Sequence, residues 1–278
     1  MTYNNILLGT SGWSYEEWEG PFYQKGEKRK LRAYCKVFST VEIDSTWYRV
    51  PAKGTVMGWL KYSPSGFVYT AKMPKLITHQ KKLGLKGDID ANLQTFFEVM
   101  RPLQLGGKLG CILIQLPPSY AYNLENLESF FQKLEPQFKF AIESRNLSWM
   151  KEETWQLLTK YKVAYVNVDE PLLPPDVHLT TADFAYFRWH GRGTIPWFDY
   201  RYSEKELDQW VPKVEMASGK VKKVFGYFNN HFHGYAPENC LHLVQRLGLL
   251  TEPQKRSKER INLKQADLDS FLGRSVQN

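Results

Sequence analysis

Cysteine is scarce: three residues in 278, Cys35, Cys111 and Cys240, all far apart and without a CxxC pair. That argues against a disulfide framework or a thiolate zinc module, and it suits a reducing compartment. Cys111 lies in an apolar run and reads as a small buried hydrophobe. No apolar run approaches the length of about 18 residues that a membrane span needs. The first residues, MTYNNILLGTSG, have neither a basic stretch nor a long apolar one, so no secretory leader is expected. The expectation is a cytoplasmic protein with no membrane contact. Histidine is also sparse, at six residues, with no HExxH and no Cys–His cluster. No strand is followed by GxGxxG, which disfavours an open dinucleotide-binding sheet. Thr10 and Ser11 stand in GTSGW, which is not the G-x-S-x-G elbow of a serine nucleophile.

What is present is aromatic and basic. Aromatic residues make up 15% of the chain, with nine Trp and sixteen Tyr, and the formal net charge is +8. Many rings lie beside Gly, Pro, Arg or His, as in GTSGWSYEEWEG and RWHGRGTIPWFDYRY. Such settings suit cleft walls, where flat rings stack on substrates, although large rings also fill cores. The basic balance favours anionic partners, nucleic acid first. Part of it sits in KRSKER near the C-terminus.

Eight short β-branched and aromatic runs recur: 6–11, 40–48, 67–74, 109–118, 139–145, 163–171, 184–191 and 223–230. Helical patterns fill most gaps, at 28–38, 91–103, 124–134, 152–161, 204–214 and 238–248. Strand–helix alternation means parallel strands joined by crossovers. Eight units predict an α/β fold, a TIM-type (β/α)8 barrel. The sixth gap, LLPPDVHLTTAD, has no room for a full helix, so the sixth helix is expected to be short or missing. Residues 1–250 read as the barrel, and residues 251–278 as a polar linker and flexible tail.

Side-chain alternation selects the polar residues that share one face of each strand. They are Glu42 and Asp44, Lys72, Gln115, Glu143 and Arg145, Asn167 and Asp169, and Arg188 and His190. Charges against the outer helices would be poorly solvated, so all are expected inside the barrel, towards its C-terminal mouth. Their signs nearly balance, so a salt-bridge lattice plugging the barrel competes with a functional site. In a site, the catalytic candidates are Glu42, Asp44, Lys72, Glu143, Asp169 and His190. The carboxylates would act as acid or base, and His190 as proton shuttle. The substrate-binding candidates are Trp13, Tyr48, His79, Gln115, Arg145, Arg188, Arg192, Asn229, Asn230 and His231. Lys72, Arg145, Arg188 and Arg192 suit an anionic group. His231 and His233 could join Glu42, Glu143 or Asp169 around a divalent metal, but no ligand spacing indicates one. The cofactor is left open.

Seven segments together resemble the YecE-like family, also known as domain of unknown function 72. They are GTSGWSYEEWEGPFY, FSTVEIDSTWYRVP, FVYTAKMPKLITH, LGCILIQLPPSY, AIESRNLSW, FAYFRWHGR and VFGYFNNHFHGYAPENC, in the family's order. The resemblance implies a TIM-barrel fold and carries no settled activity. Where the family has Asn and Phe in its second-strand motif, this chain has Asp44 and Trp47.

A second resemblance lies in KQADLDSFL. Gln265, Leu268, Phe271 and Leu272 resemble the box with which replication and repair proteins bind the sliding clamp, proliferating cell nuclear antigen. Lys264 and Asp269 resemble its archaeal form. In a 3₁₀ turn Leu268 and Phe271 would fall on one side as a plug. The alternative is an amphipathic helix packed on the barrel. Three functional readings follow. One is an enzyme recruited by the clamp, acting on DNA or another phosphate-bearing substrate, such as a repair nuclease or base-processing hydrolase. Another is a small-molecule isomerase, lyase or glycoside hydrolase with an incidental tail. The third is a non-catalytic clamp-binding adaptor.

Overall fold

β-branched and aromatic runs form eight parallel strands: β1 (Ile6–Thr10), β2 (Thr40–Ile43), β3 (Val68–Lys72), β4 (Leu109–Gln115), β5 (Phe140–Glu143), β6 (Ala164–Asp169), β7 (Phe184–Trp189) and β8 (Lys223–Phe228). The computed structural model describes residues 4–271 apart from Ala182 and Ile195, with side chains described up to Lys264 at the C-terminal end. The sheet runs β1-β8-β7-β6-β5-β4-β3-β2. An isolated bridge between Ser11 and Glu42 brings its two edges together, giving a nearly closed TIM-type barrel. At this seam the Tyr34 hydroxyl accepts from Thr10 N and donates to the Thr40 carbonyl, standing in for ladder bonds. Gly9 is required here, because a Cβ would lie 2.3 Å from the Thr40 oxygen.

The helices are α1 (Lys30–Tyr34), α2 (Lys53–Tyr62), α3 (Asp90–Leu105), α4 (Leu124–Phe131), α5 (Glu152–Lys160), α6 (Glu204–Asp208), α7 (Val211–Ser218), α8 (Tyr235–Arg246) and α9 (Glu252–Phe271). Among the described residues no helix joins β6 to β7, as the proline-rich gap predicts. The sequence reading placed no helix between β2 and β3, yet α2 fills that gap and buries Val56 and Trp59. Gly54 and Gly58 are poor helix formers and dilute its periodic signal. The pattern over 204–214 is two helices, not one. Ser203 and Glu206 form a capping box at α6, and Pro212 opens α7, where its missing N–H costs nothing.

The stretch expected to be a polar linker is helical. α9 packs beside α8, with Ile261 wholly buried. Arg260 donates to the Phe22 carbonyl. The polar composition misled because one apolar anchor and a few hydrogen bonds suffice to dock a helix. Of the clamp-box residues, Gln265, Leu268 and Phe271 lie on the α9 backbone with side chains outside the described set, and Leu272 lies outside the described residues.

Two apolar layers hold the barrel. Val68, Cys111, Phe184 and Phe225 fill its interior away from the mouth, while Trp149, Trp189 and Trp210 lie between strands and helices. Most of the large rings therefore serve packing and not a cleft wall. No helix among the described residues is long and apolar enough to cross a membrane.

Candidate active site

Strand alternation stacks the interior in layers. Above the apolar layer, the Tyr227 hydroxyl pairs with Thr40 Oγ1 at 2.7 Å and the Tyr186 hydroxyl with Thr70 Oγ1 at 2.9 Å. Tyr186 also donates to Glu42 Oε2 at 2.6 Å, and Ser11 donates to Glu42 Oε1 at 2.6 Å. The next layer is ionic. Arg188, wholly buried, donates to Glu42 Oε1 at 2.7 Å and to Glu143 Oε2 at 2.5 Å. Gln115 and Arg145 donate to Glu143 Oε1, each at 2.7 Å. Burial alone would raise both carboxyls. Arg188 together with Lys72, Ser11 and Tyr186 at Glu42, and together with Arg145 and His190 at Glu143, overcomes that burial and holds both below the usual range. This layer is a charge-balanced lattice with its acceptors filled, which is what allows charges so deep.

The layer facing the mouth differs. Val166 and Val168 of β6 point inwards, so Asn167 and Asp169 point towards the outer layer. The sequence reading had placed that pair inside. The missing sixth helix explains the reversal. The irregular chain covering β6 brings backbone donors that need acceptors, and Asn167 accepts from His178 N at 2.7 Å. Asp169 is held by Arg192 at 2.7 and 2.9 Å and by Trp210 Nε1 at 2.7 Å. Arg192 is thus committed to Asp169 and is not aimed at the interior.

The next residue, Glu170, takes the interior place. It is 5% exposed, and neither carboxylate oxygen has a hydrogen-bond partner. Its nearest cation is Arg145, at 3.6 Å. Burial lifts the carboxyl to about 7 against the pull of Arg145. His190 lies alongside. Its Nδ1 is 3.0 Å from Asn229 Nδ2, and its Nε2 is 3.2 Å from Glu143 Oε1. If the Asn229 amide donates to Nδ1, the ring proton sits on Nε2 and points at Glu143. Burial pushes the imidazole down to about 4, Glu143 opposing and Arg188 and Arg145 adding, so it is neutral at pH 7.

The β2–β3 side of the mouth carries Lys72, Trp47 and His79. The Lys72 and Lys75 ammonium groups each lie 5.3 Å from the Trp47 ring, and His79 meets that ring edge-on at 5.1 Å. Burial, with Arg188 adding, lowers Lys72 to about 8. His79 is lowered to about 4 by burial and by Lys72 and Arg145. Further round, Asp44 accepts from Tyr15 at 2.9 Å, and Tyr15 stacks on His231 at 4.5 Å.

The fold therefore gathers Glu42, Lys72, Gln115, Glu143, Arg145, Arg188, His190 and Asn229, with Asp44, His79 and His231 around them. Others go elsewhere. Trp13 packs edge-on against Trp59 and Tyr69 behind the strands. Tyr48 is 67% exposed and leans on Trp47. Asn230 binds Asn239 and the Tyr200 carbonyl. The residues missed were Glu170, Ser11, Tyr186 and Trp47. Ser11 and Tyr186 share parity with Gly9 and Arg188, which was a usable signal.

Glu143, Glu170 and His190 place ligand atoms within 4.8 Å of one another, the geometry of a metal triad. The electrostatics oppose a cation. Nη1 of Arg188 and Nη2 of Arg145 lie 3.3 and 3.4 Å from His190 Nε2, and Glu143 has its acceptors filled. The arrangement favours proton chemistry beside fixed positive charge.

The family model "Protein of unknown function DUF72" matches residues 7–262. The chain belongs to this family. The match runs into α9, which agrees with that helix docking on the barrel. The UPF0759 protein YunF of Bacillus subtilis (strain 168) is 25% identical over 270 residues, covering 88% of this chain and 95% of that one. UPF0759 protein YecE of Escherichia coli (strain K12) is 25% identical over 142 residues, 51% of this chain and 48% of its own. Among solved structures, a DUF72 family protein from Thermotoga maritima MSB8 is 32% identical with a TM-score of 0.78, covering 87% of this chain and 99% of that one. One from Enterococcus faecalis V583 is 26% identical with a TM-score of 0.79, covering 89% and 97%. These relatives are bacterial, and nothing among them supports the archaeal likeness that Lys264 and Asp269 give the clamp box.

Proposed function

We propose that this DUF72 protein is an enzyme that moves protons on a small polar substrate held in the barrel mouth, with Glu170 as acid and base. One observation carries the reading: Glu170 is buried, faces the mouth, and has no hydrogen-bond partner on either oxygen. An unpartnered buried carboxyl costs stability, and such cost concentrates at functional sites. Lifted to about 7, it is half ionised near neutral pH, where a general acid–base works best. The lattice beneath fixes Arg145 and His190 beside it, so polar groups need little rearrangement during reaction. A group this deep suits a small molecule better than a base in a duplex, which must first be flipped out. Among the three sequence readings, this favours an isomerase or lyase.

The test is incubation of the chain in heavy water with a panel of small hydroxy acids, keto acids and sugar phosphates. Proton NMR would read conversion and deuterium uptake at carbon. Activity lost in Glu170→Gln supports the reading. Full activity in that variant, or no conversion across the panel, overturns it.

Recruitment by the tail is a separate proposal about partner choice. Two residues past the Ile261 anchor, Leu263 is 70% exposed, so α9 offers an accessible face just before the box. Calorimetry of the chain against a purified sliding clamp tests it, with Phe271→Ala as control. Absence of saturable binding rejects it.

A further inference from the structure

Four polar groups on the β3 side of the mouth make no hydrogen bond to the lattice carboxylates. They are the Lys72 ammonium, the Nε2 edge of His79, Nη1 of Arg145 and the indole N–H of Trp47. The Trp47 nitrogen is buried without a hydrogen-bond partner. His79 is fixed through Nδ1, 2.9 Å from Thr78 Oγ1, which leaves Nε2 open. The Lys72 ammonium lies over the Trp47 ring, and no described residue accepts a hydrogen bond from it. Arg145 is near enough to depress the proton affinity of both Lys72 and His79. The carboxylates that could have answered these cations are already engaged. Glu42 is held by Arg188, Ser11 and Tyr186, and Glu143 by Arg188, Arg145 and Gln115.

Lys72 and His79 gather round the Trp47 ring with Arg145 acting on both, and cationic and N–H groups grouped without an acceptor suit an anion. They arrive from three directions: Lys72 at the end of β3, Arg145 beyond β5, and His79 with Trp47 from the loops following β3 and β2. Three directions match the oxygens of a tetrahedral oxyanion better than the two coplanar oxygens of a carboxylate. We propose that Lys72, Arg145, His79 and Trp47 form a cradle for a phosphoryl group, so that the substrate of this mouth is a small phosphate monoester. The word substrate rests on the proton-transfer reading above; the cradle itself does not. Glu170 lies 3.6 Å from the Nε of Arg145. Arg145 thus links the phosphate seat to that carboxyl, which a small monoester could reach with its carbon skeleton.

The experiment is calorimetry of the full chain at about pH 7 with sulfate, methyl phosphate and acetate. Sulfate and methyl phosphate should bind saturably and acetate much more weakly. Lys72→Met should weaken both by roughly tenfold or more, the scale of one lost charge-assisted contact. Lys222→Met, on an exposed side chain at the opposite end of the barrel, should change nothing. No saturable binding, or equal binding in Lys72→Met, overturns the cradle. Acetate binding as tightly as methyl phosphate overturns the phosphoryl assignment.

A second measurement needs no change at Lys72. In the Glu170→Gln chain, where that carboxyl no longer titrates, sulfate affinity is followed from about pH 7 to about pH 9. Sulfate does not titrate there, and the groups facing Lys72 are Glu42, Arg188, Glu143 and Arg145, with His79 and Lys75 across the Trp47 ring. Affinity should fall as Lys72 loses its proton near 8. A flat profile overturns the role of Lys72. Sulfate binding retained in Glu170→Gln alongside lost proton transfer supports both readings. Sulfate binding without any Glu170-dependent turnover leaves the cradle standing and removes the proton-transfer reading alone.

Discussion

Replacing Glu170 with Gln should make this protein more stable, by an amount that grows as pH rises from 4.5 to about 7. Glu170 has an ordinary value of 4.5 in the unfolded chain and about 7 in the folded one. The folded pKa is raised, so the folded state prefers the protonated form. Stability associated with that proton is complete below 4.5, declines between 4.5 and about 7, and is gone above. At 1.36 kcal/mol per unit, ionised Glu170 costs roughly 3 kcal/mol at about pH 8 and roughly 1 kcal/mol at about pH 5. Gln keeps the shape and removes the titration. Urea unfolding of the two chains at both pH values gives the difference directly. The expected gain is about 2 kcal/mol larger at pH 8 than at pH 5, a few degrees in melting temperature for a chain this long. The comparison between pH values cancels any fixed effect of the new amide beside Arg145. An equal change at both, or a loss at pH 8, would refute the reasoning that an unpartnered carboxylate is stored here.

Three other outcomes follow from the same structure. Arg188→Met leaves Glu42 and Glu143 buried without their shared cation, and should cost roughly 3–5 kcal/mol by denaturant unfolding; a cost below about 1 kcal/mol would mean the lattice does not depend on it. Glu143 is held well below 4.5, so its stabilisation is present above 4.5 and lost as pH falls through its folded value; Glu143→Gln should therefore flatten the acid limb of the stability curve. Ile261→Ala removes the buried anchor of α9 and should cost roughly 2–4 kcal/mol, with faster amide exchange along Glu252–Phe271; unchanged exchange would show that the helix is held by other contacts.

Much of this fold was legible in the sequence because barrel strands repeat one simple rule. Eight β-rich runs and alternating polarity located the strands and the correct inward residues on β2, β3, β4, β5 and β7. The rule failed on β6 for a physical reason. It assumes that the outer face meets an apolar helix, and β6 meets an irregular segment rich in backbone donors. Asn167 and Asp169 belong to that segment's hydrogen bonding, while Val166 and Val168 keep the inward parity. Glu170 continues the inward parity of Val166 and Val168 one residue beyond the strand, and it escaped because the polar pair Asn167 and Asp169 marks the opposite parity as inward. Trp47 escaped because it lies on a 3₁₀ turn after β2, and Trp13 and Tyr48 were drawn in by composition alone. Long-range partners were not legible either: nothing local tells that Arg188 will span Glu42 and Glu143, which are 101 residues apart.

Lattice and site looked like alternatives in the sequence, and the structure has both, one beneath the other. The lower layer explains the upper one. Arg145 has two carboxylates within reach, and it donates to Glu143 at 2.7 Å while standing 3.6 Å from Glu170. Glu143 thus takes the cation that would otherwise ionise Glu170, and adds its own repulsion. Removing the Glu143 charge should therefore reach the other residue. In Glu143→Gln the guanidinium is free to turn, the repulsion vanishes, and the Glu170 carboxyl should fall from about 7 towards the ordinary carboxylate range. Carbon-13 NMR of labelled glutamate side chains reads that titration without any knowledge of the substrate. A Glu170 value that stays near 7 in Glu143→Gln would mean that burial alone sets it, and that the lattice is only a plug.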